Sequence, residues 1–333
     1  MKIMHFSTID LRSDTVTRPS PEMRQAMYDA EVGDDVLDHD PTMARLEERV
    51  AHLLGYENAL WVPSGSMGNV IALMLHLRRG DAFLAPEHAH VLGSELGTAA
   101  WLAQGMPLAL PHDAGPGRPT PAAVTAAAGS GPYFTLSTTL LCLENTHNFA
   151  GGAVFDADEW TALLAAARAK GLKVHLDGAR VWNAAVALGV PVSDLTRGAD
   201  TVQVCLSKGL GAPVGSMLVS DSARITEARR IRKMLGGGVR QGGVLAAAGL
   251  VALDTVDSLA DDHAHAHLLA DGLRERGWTV DEPQTNIVLA DGPLTVAELA
   301  DLGIAAVSVV GRTRFVTHRD VSRSDIEEAL SRL

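Results

Sequence analysis

The sequence predicts an α/β protein, with a mostly parallel sheet covered by helices in a large domain and a small C-terminal α/β domain after it. Three observations predict it. Short apolar runs alternate with amphipathic helical stretches from residue 59 to residue 235, the pattern of parallel strands joined by crossover helices. Gly65, His90, His147, Asp177 and Lys208 each fall just past such a run, and ligands of open α/β sheets collect at the carboxyl ends of the strands. Beyond residue 242 an alanine-rich helical stretch leads into a second, shorter alternation. The expected division is 1–241 for the N-terminal segment with the large domain, and 242–333 for a linking helix with the small one.

Composition narrows the function. A chain of 333 residues can bury a large core, and 47% apolar with 20% charged residues is ordinary for a globular protein. A formal net charge of −12 argues against nucleic acid or an anionic membrane as partner, since both need a basic footprint. Cys142 and Cys205 sit inside strand-like apolar runs and read as buried thiols in a reducing compartment. The first residues carry no apolar run of the signal-peptide kind, and no later run is long enough to span a bilayer. A soluble, cytoplasmic protein is expected.

The segment 10–19 is polar and ends extended, because the residue before Pro19 avoids helical backbone. Ser20 caps a helix with Pro21 in its first turn, along which Met23, Ala26, Met27 and Ala30 share a face. The acidic loop 33–40 offers carboxylates to a cation, but a solvated turn is the preferred reading. Pro41 opens a second helix with the stripe Met43, Leu46, Val50 and Leu53, closed by Gly55. A strand 59–62 turns through Pro63-Ser64-Gly65-Ser66-Met67-Gly68-Asn69 into a helix 70–77. Free N–H groups at a helix start, with glycine allowing close approach and a serine hydroxyl nearby, can cradle a phosphate. Further strands are expected at 83–85, near 108, at 140–143, 173–177, 202–206 and 216–219, with helices at 92–103, from 120, at 158–170 and from 221. The C-terminal part predicts helices 259–276 and 296–302 and strands near 286–290 and 315–316. His263 and His267, one turn apart, can chelate a metal, though nothing completes such a site and a solvated helix face is preferred.

The run Val202-Gln203-Val204-Cys205-Leu206-Ser207-Lys208-Gly209 ends a buried strand on a lysine among glycines. A lysine so placed has a charge partner or a chemical task, and its neutral amine can form a Schiff base with a carbonyl. A buried aldehyde cofactor would need that lysine, with a carboxylate such as Asp177 to keep a pyridine nitrogen protonated. It would need Gly65 and Ser66 for a phosphate, a flat side chain such as His90 for the ring face, and Arg180 for a substrate carboxylate.

In this order these stretches resemble the L-threonine aldolases, fold-type-I pyridoxal-phosphate enzymes of the β-eliminating lyase family. The resemblance spans nearly the whole chain and is carried by 10–19, 31–42, 63–69, 144–148, 175–180, 206–215, 233–241 and 315–322. It implies pyridoxal 5′-phosphate as cofactor, held as an imine by Lys208. Asp177 would then meet the pyridine nitrogen, His90 stack on the ring, and Gly65 and Ser66 bind the phosphate. Lys233 and Arg240 match basic residues that reach the phosphate region, the latter from a neighbouring subunit. Ser13, Arg180 and Arg314 match the carboxylate grip, and His147 a histidine near the β-hydroxyl. The implied reaction is reversible cleavage of L-threonine or L-allo-threonine to glycine and acetaldehyde, with His147 or a water as base. A homodimer or homotetramer with shared sites is implied. Ser66 stands where threonine is common, and Leu37-Asp38-His39 where Tyr-Gly-Glu is frequent beside the entrance.

Two other readings remain at this point. The chain can be another lyase or a transaldolase of β-hydroxy amino acids using the same cofactor. It can also be a metal-dependent hydrolase built on His88 and His90 with Lys208 and Asp177, although that leaves Gly65, Ser66 and Arg180 without a role.

Overall fold

The computed structural model describes residues 7–37, 39–129 and 131–333. After a short strand β1 (Ile9–Asp10) come β2 (Asn58–Val62), β3 (Ala82–Pro86), β4 (Met106–Leu110), β5 (Thr138–Glu144), β6 (Lys173–Gly178), β7 (Thr201–Cys205) and β8 (Ser216–Ser220). The last seven form one sheet in the order β2-β8-β7-β6-β5-β3-β4. Pairing is parallel from β4 to β7, while β8 runs antiparallel to both β7 and β2. The strands β3 and β7 are buried at every residue, as expected for a sheet covered on both faces.

A second, antiparallel sheet takes β9 (Thr279–Val280), β10 (Ile287–Asp291), β12 (Val307–Val309) and β13 (Arg312–Val316) in the order β12-β13-β10-β9. Between them β11 (Ile304–Ala305) pairs in parallel with β1. Ile9 and Leu11 therefore sit in the smaller core with Leu269, Leu273, Val288 and Phe315. The Gly243–Leu253 helix packs into the larger core through Ala246, Ala248 and Ala252. Among the described residues, no single helix is long and apolar enough to cross a membrane. Cys142 and Cys205 are both buried and free.

The cap expected at Ser20 is present, and Thr120 and Asp221 cap the helices expected from 120 and from 221, each side chain accepting from a backbone N–H of the first turn. Three expectations are corrected. The stretch 92–103 is two short helices, His90–Gly93 and Thr98–Trp101, because Leu96 and Gly97 both take left-handed backbone between them. The strand through Asp177 passes through a turn at 179–180 into a further helix, Val181–Leu188. His263 is buried against Asn183 at 3.2 Å, and only His267 is exposed, paired with Glu282 at 3.0 Å. The acidic loop is not a solvated turn. Asp35 is buried against Arg229 and Arg232 at 3.3 and 2.5 Å, Asp34 pairs with Arg240 at 3.0 Å, and Asp40 is fully buried. Asp38 lies outside the described residues.

Asp40 shows why the loop holds its shape. Its carboxylate accepts from the backbone N–H of Gly33, Thr42, Met43 and Gly243, at 3.1, 3.0, 3.0 and 2.9 Å. One side chain thus caps the Pro41–Leu54 helix and ties it to the loop and to the Gly243–Leu253 helix. Replacing an ordinary N-cap such as Ser20 with alanine is expected to lose about 1 kcal/mol. Asp40→Ala strands several buried donors as well, so about 3 kcal/mol is expected. Urea denaturation of the two variants checks this, and equal losses would contradict it.

Candidate active site

The direction of the strands assembles the site. The C-terminal ends of β2, β3, β5, β6 and β7 lie at one edge of the sheet, since β2 and β7 both run opposite to β8 between them. A cavity of about 480 Å³ opens there. Its wall contains Ser13, Gly65, Ser66, His90, Asp177, Arg180, Lys208 and Arg314, contributed by six separate stretches of chain.

Lys208 stands on the loop after β7. Thr17 donates its hydroxyl to the Lys208 carbonyl at 2.8 Å, and Arg319 donates to the Leu210 carbonyl at 2.9 Å. The N-terminal segment and the C-terminal part therefore fix the lysine loop between them. Across the cavity Ser64 caps the Gly65–His76 helix by accepting from Met67 N. That leaves the N–H groups of Gly65 and Ser66 facing outward at the positive end of a helix dipole. A Cβ at Gly65 would come within 3.1 Å of Cys205 Sγ and of Gln203 Nε2, so a larger residue there would have to push β7 side chains aside by a few tenths of an ångström.

On β6 and β7, His175, Asp177, Thr201 and Gln203 alternate with apolar residues and are all buried on one face. The Gly65–His76 helix covers that face, and Asn69 is the contact that matters at the site. Its amide donates to Asp177 Oδ2 at 2.7 Å and to Glu95 Oε1 at 2.8 Å. Ala179 N holds the other Asp177 oxygen at 3.1 Å. Glu95 Oε1 also meets His90 Nδ1 at 2.9 Å, while His90 N donates to Glu144 Oε2 at 2.6 Å. Burial raises the Glu95 carboxyl, reinforced by the Asp177 charge. Burial opposes charge on His90, but Glu95, Asp177 and Glu144 outweigh it and raise the imidazole. Both shifts favour keeping the proton that Glu95 and His90 share.

Ligand atoms of His90, Glu95 and Asp177 lie within 4.8 Å of one another, close enough for a metal. The Asn69 amide already donates to both carboxylates, which marks a hydrogen-bonded network. His88 does not join His90. It is exposed, with its ring edge-on to His112 at 6.3 Å, so the His-x-His pair of the hydrolase reading does not converge.

At the other end of the cavity Arg180 is fully paired. Its fork donates to Asp14 at 2.7 and 2.6 Å, and its remaining nitrogen to Asn148 Oδ1 at 2.9 Å. Burial alone would raise the Asp14 carboxyl, but the Arg180 guanidinium, aided by Lys208, brings it down to about 2. Arg314 donates to the same Asn148 oxygen at 2.9 Å and to the Arg12 carbonyl at 3.1 Å, and its Nε has no partner. Burial, and then the charge of Arg180, pulls Arg314 down to about 10. Arg314 is thus the guanidinium with an uncompensated charge here, while Arg180 is neutralised within the protein.

Three expected residues stand outside the wall. His147 is fully buried, edge-on to His112 with centroids 5.2 Å apart and both ring nitrogens unpartnered, while its neighbours Thr146 and Asn148 line the cavity. Burial lowers its pKa. Lys233 and Arg240 are exposed and do not reach the cavity of their own chain. Sequence reasoning missed Asn69, Glu95, Asp14, Glu144 and Asn148. The signal available for Asp14 was an acidic residue within the quoted stretch 10–19; Glu95 gave none, because a continuous helix over 92–103 would have aimed it elsewhere.

A phosphate-bearing pyridine aldehyde fits these residues. The outward N–H groups of Gly65 and Ser66, the anchored Asp177 carboxylate, the His90 ring and the Lys208 amine all border one cavity.

The beta-eliminating lyase family model matches residues 10–292. Low-specificity L-threonine aldolase 1 of Arabidopsis thaliana is 43% identical over 98% of this chain and 96% of its own length. The low specificity L-threonine aldolase of Escherichia coli strain K12 is 41% identical over 96% of each chain. The solved structure of the Leishmania major threonine aldolase superposes with a TM-score of 0.84, covering 97% of each chain at 20% identity.

The Asp14–Arg180 pair generates a prediction. Because the folded pKa of Asp14 lies below its ordinary value, the pair's contribution is complete above pH ~4 and is lost as pH falls through about 2. Asp14→Asn should lose about 3–5 kcal/mol near neutral pH, as expected for a broken buried ion pair. The stability gap to the unmodified protein should narrow below pH ~4. Urea titrations across that range check it; a gap that stays constant to pH ~2 would contradict it.

Proposed function

The chain belongs to the beta-eliminating lyase family, and we propose on that footing that it is a pyridoxal-phosphate-dependent aldehyde-lyase of the threonine aldolase kind. It cleaves L-threonine and L-allo-threonine, and other β-hydroxy-α-amino acids, reversibly to glycine and an aldehyde. The observation that carries the reading is the single cavity shared by Lys208, Asp177, His90, Gly65, Ser66 and Arg314. The protein works in the cytoplasm.

Pyridoxal 5′-phosphate, when bound, supplies an electron sink for the pair released from the Cα–Cβ bond. Lys208 would hold the cofactor through its amine, Asp177 would meet its ring nitrogen, His90 its ring face, and the Gly65 and Ser66 N–H groups its phosphate. Arg314 grips the substrate carboxylate through a charge-assisted fork, with Ser13 beside it. Arg180, neutralised by Asp14, holds the Asn148 amide oxygen that Arg314 also meets, so the net positive charge at that end is Arg314's. His147 stays neutral through burial, so a ring nitrogen can accept the β-hydroxyl proton. Since His147 lies behind the wall, a water in the cavity carries that proton to it. Lys208 would be the amine positioned to return a proton to Cα of the product.

Purified protein given L-threonine should release equimolar glycine and acetaldehyde, and Lys208→Ala should fall to background while remaining folded by circular dichroism. Cleavage by that variant at an undiminished rate would overturn the assignment.

The assembly is a homodimer or a dimer of dimers with shared sites. What supports this is that Lys233 and Arg240 are exposed, outside their own cavity, in a chain of strongly negative net charge. The packing of Gly237 against Met67 puts their segment beside the phosphate cradle. A ligand held by two chains stabilises their association. Arg240→Ala should therefore release the cofactor more readily on dialysis, and dilution to monomer should lose activity. Sedimentation run alongside activity checks this, and a fully active monomer would contradict it.

A further inference from the structure

Behind Asp177 a line of polar side chains runs from Asn69, at the cavity wall, back through the interior. Asn69 Oδ1 lies 3.1 Å from His175 Nε2, His175 Nδ1 lies 2.9 Å from Thr201 Oγ1, and Thr201 Oγ1 lies 3.0 Å from His76 Nε2. The fold builds it. His175 and Thr201 are direct cross-strand partners on β6 and β7, two residues before the Asp177 and Gln203 pair and on the same face. Asn69 and His76 are seven residues apart, two turns along one face of the covering helix, so both descend onto the same strands. His175 and Thr201 are fully buried, and Asn69 is nearly so.

Donor counting gives the line a single direction. Asn69 has two amide protons, and two carboxylate oxygens take them at 2.7 and 2.8 Å. The flipped amide would set its oxygen against both carboxylates, a repulsive contact with no proton between. Asn69 Oδ1 therefore faces His175 and needs a proton on Nε2. A neutral His175 protonated at Nε2 carries its lone pair on Nδ1, so the Thr201 hydroxyl donates to it. That uses the only proton Thr201 has, and its oxygen then accepts from His76 Nε2–H. Both rings stay neutral at ordinary pH: burial lowers His175 to about 4 and His76 to about 3.

We propose that His76, Thr201 and His175 are positioning residues. Their one-way hydrogen-bond chain fixes the Asn69 amide with its NH₂ toward Asp177 and Glu95, and so holds the Asp177 carboxylate in place for the cofactor ring. The role toward the cofactor rests on the reading that Asp177 holds the ring nitrogen. A buried amide oxygen without its donor is destabilised and free to turn, and the turned amide repels Asp177. The consequence is felt at a site that Thr201 never touches.

Thr201→Val removes the hydroxyl at nearly constant volume, and Thr201→Ser keeps it. Fluorescence titration of the cofactor-free proteins with pyridoxal 5′-phosphate should give a dissociation constant about five- to tenfold higher for Thr201→Val, the loss of roughly one hydrogen bond. Thr201→Ser should bind as the unmodified protein does. Nitrogen-15 NMR of the cofactor-free, unmodified protein should show His175 neutral and protonated at Nε2. An Nδ1–H tautomer would overturn the chain, and this readout needs no variant to fold. Unchanged cofactor affinity in Thr201→Val would also overturn it, provided Asp177→Asn binds the cofactor weakly. If Asp177→Asn binds as well as the unmodified protein, the assignment of Asp177 fails instead, and the tautomer alone decides the chain.

Discussion

Everything at the catalytic end of this fold depends on one buried amide. Asn69 donates both protons to carboxylates that would otherwise repel each other, and its helix is the one whose first turn makes the anion cradle. Two buried carboxylates close together raise each other's pKa unless donors separate them. The amide stands between them and donates to both, while burial and the Asp177 charge still raise the Glu95 carboxyl that meets His90. The same contact fixes the distance between the cradle and the strand that carries Asp177, because one helix bears both Gly65 and Asn69. On the proposed reading, the ring nitrogen and phosphate of one cofactor would be met by Asp177 and the Gly65–Ser66 turn, and a short helix pinned to β6 sets the separation of those two groups.

The opposite end follows another rule. Two buried arginines this close would be unstable alone, and Arg314 shows the strain as a pKa drawn down to about 10. Asp14 compensates one of them and Asn148 accepts from both, which leaves one positive charge available to a carboxylate. Glu144 couples the two ends, since one of its oxygens holds His90 N and the other Asn148 N at 2.8 Å. The cavity is lined by Asp177, Glu144 and His90 at one end and is cationic at the other, where Arg314 lies. Such a polarity suits a reaction that breaks a bond next to a bound carboxylate.

Residues that end buried strands were legible from sequence, because an apolar run followed by Lys208 or Asp177 is a local pattern. The cradle was legible for the same reason, being a strand-to-helix turn rich in glycine and serine. Glu95 was hidden by a break that only tertiary structure reveals: a non-glycine residue, Leu96, in left-handed backbone precedes Gly97. Asp14 was hidden because its partner is 166 residues away. His175 read as part of a strand, and neither Thr201 nor His76 drew notice, since alternation marks which face a residue takes but not that the face is polar and covered. Lys233 and Arg240 were singled out by the resemblance alone, and within one chain their side chains remain at the surface.

The central claim is that Lys208 holds the cofactor, and the composition makes a direct test possible, because the chain has only five lysines: Lys2, Lys170, Lys173, Lys208 and Lys233. Borohydride reduction of the purified, cofactor-loaded protein, followed by peptide mass spectrometry, reads which of them carries the added pyridoxyl mass. The account predicts the mass on the peptide containing Lys208 and on no other. Stoichiometric labelling of a different lysine, or none at all in protein that cleaves L-threonine, would contradict it.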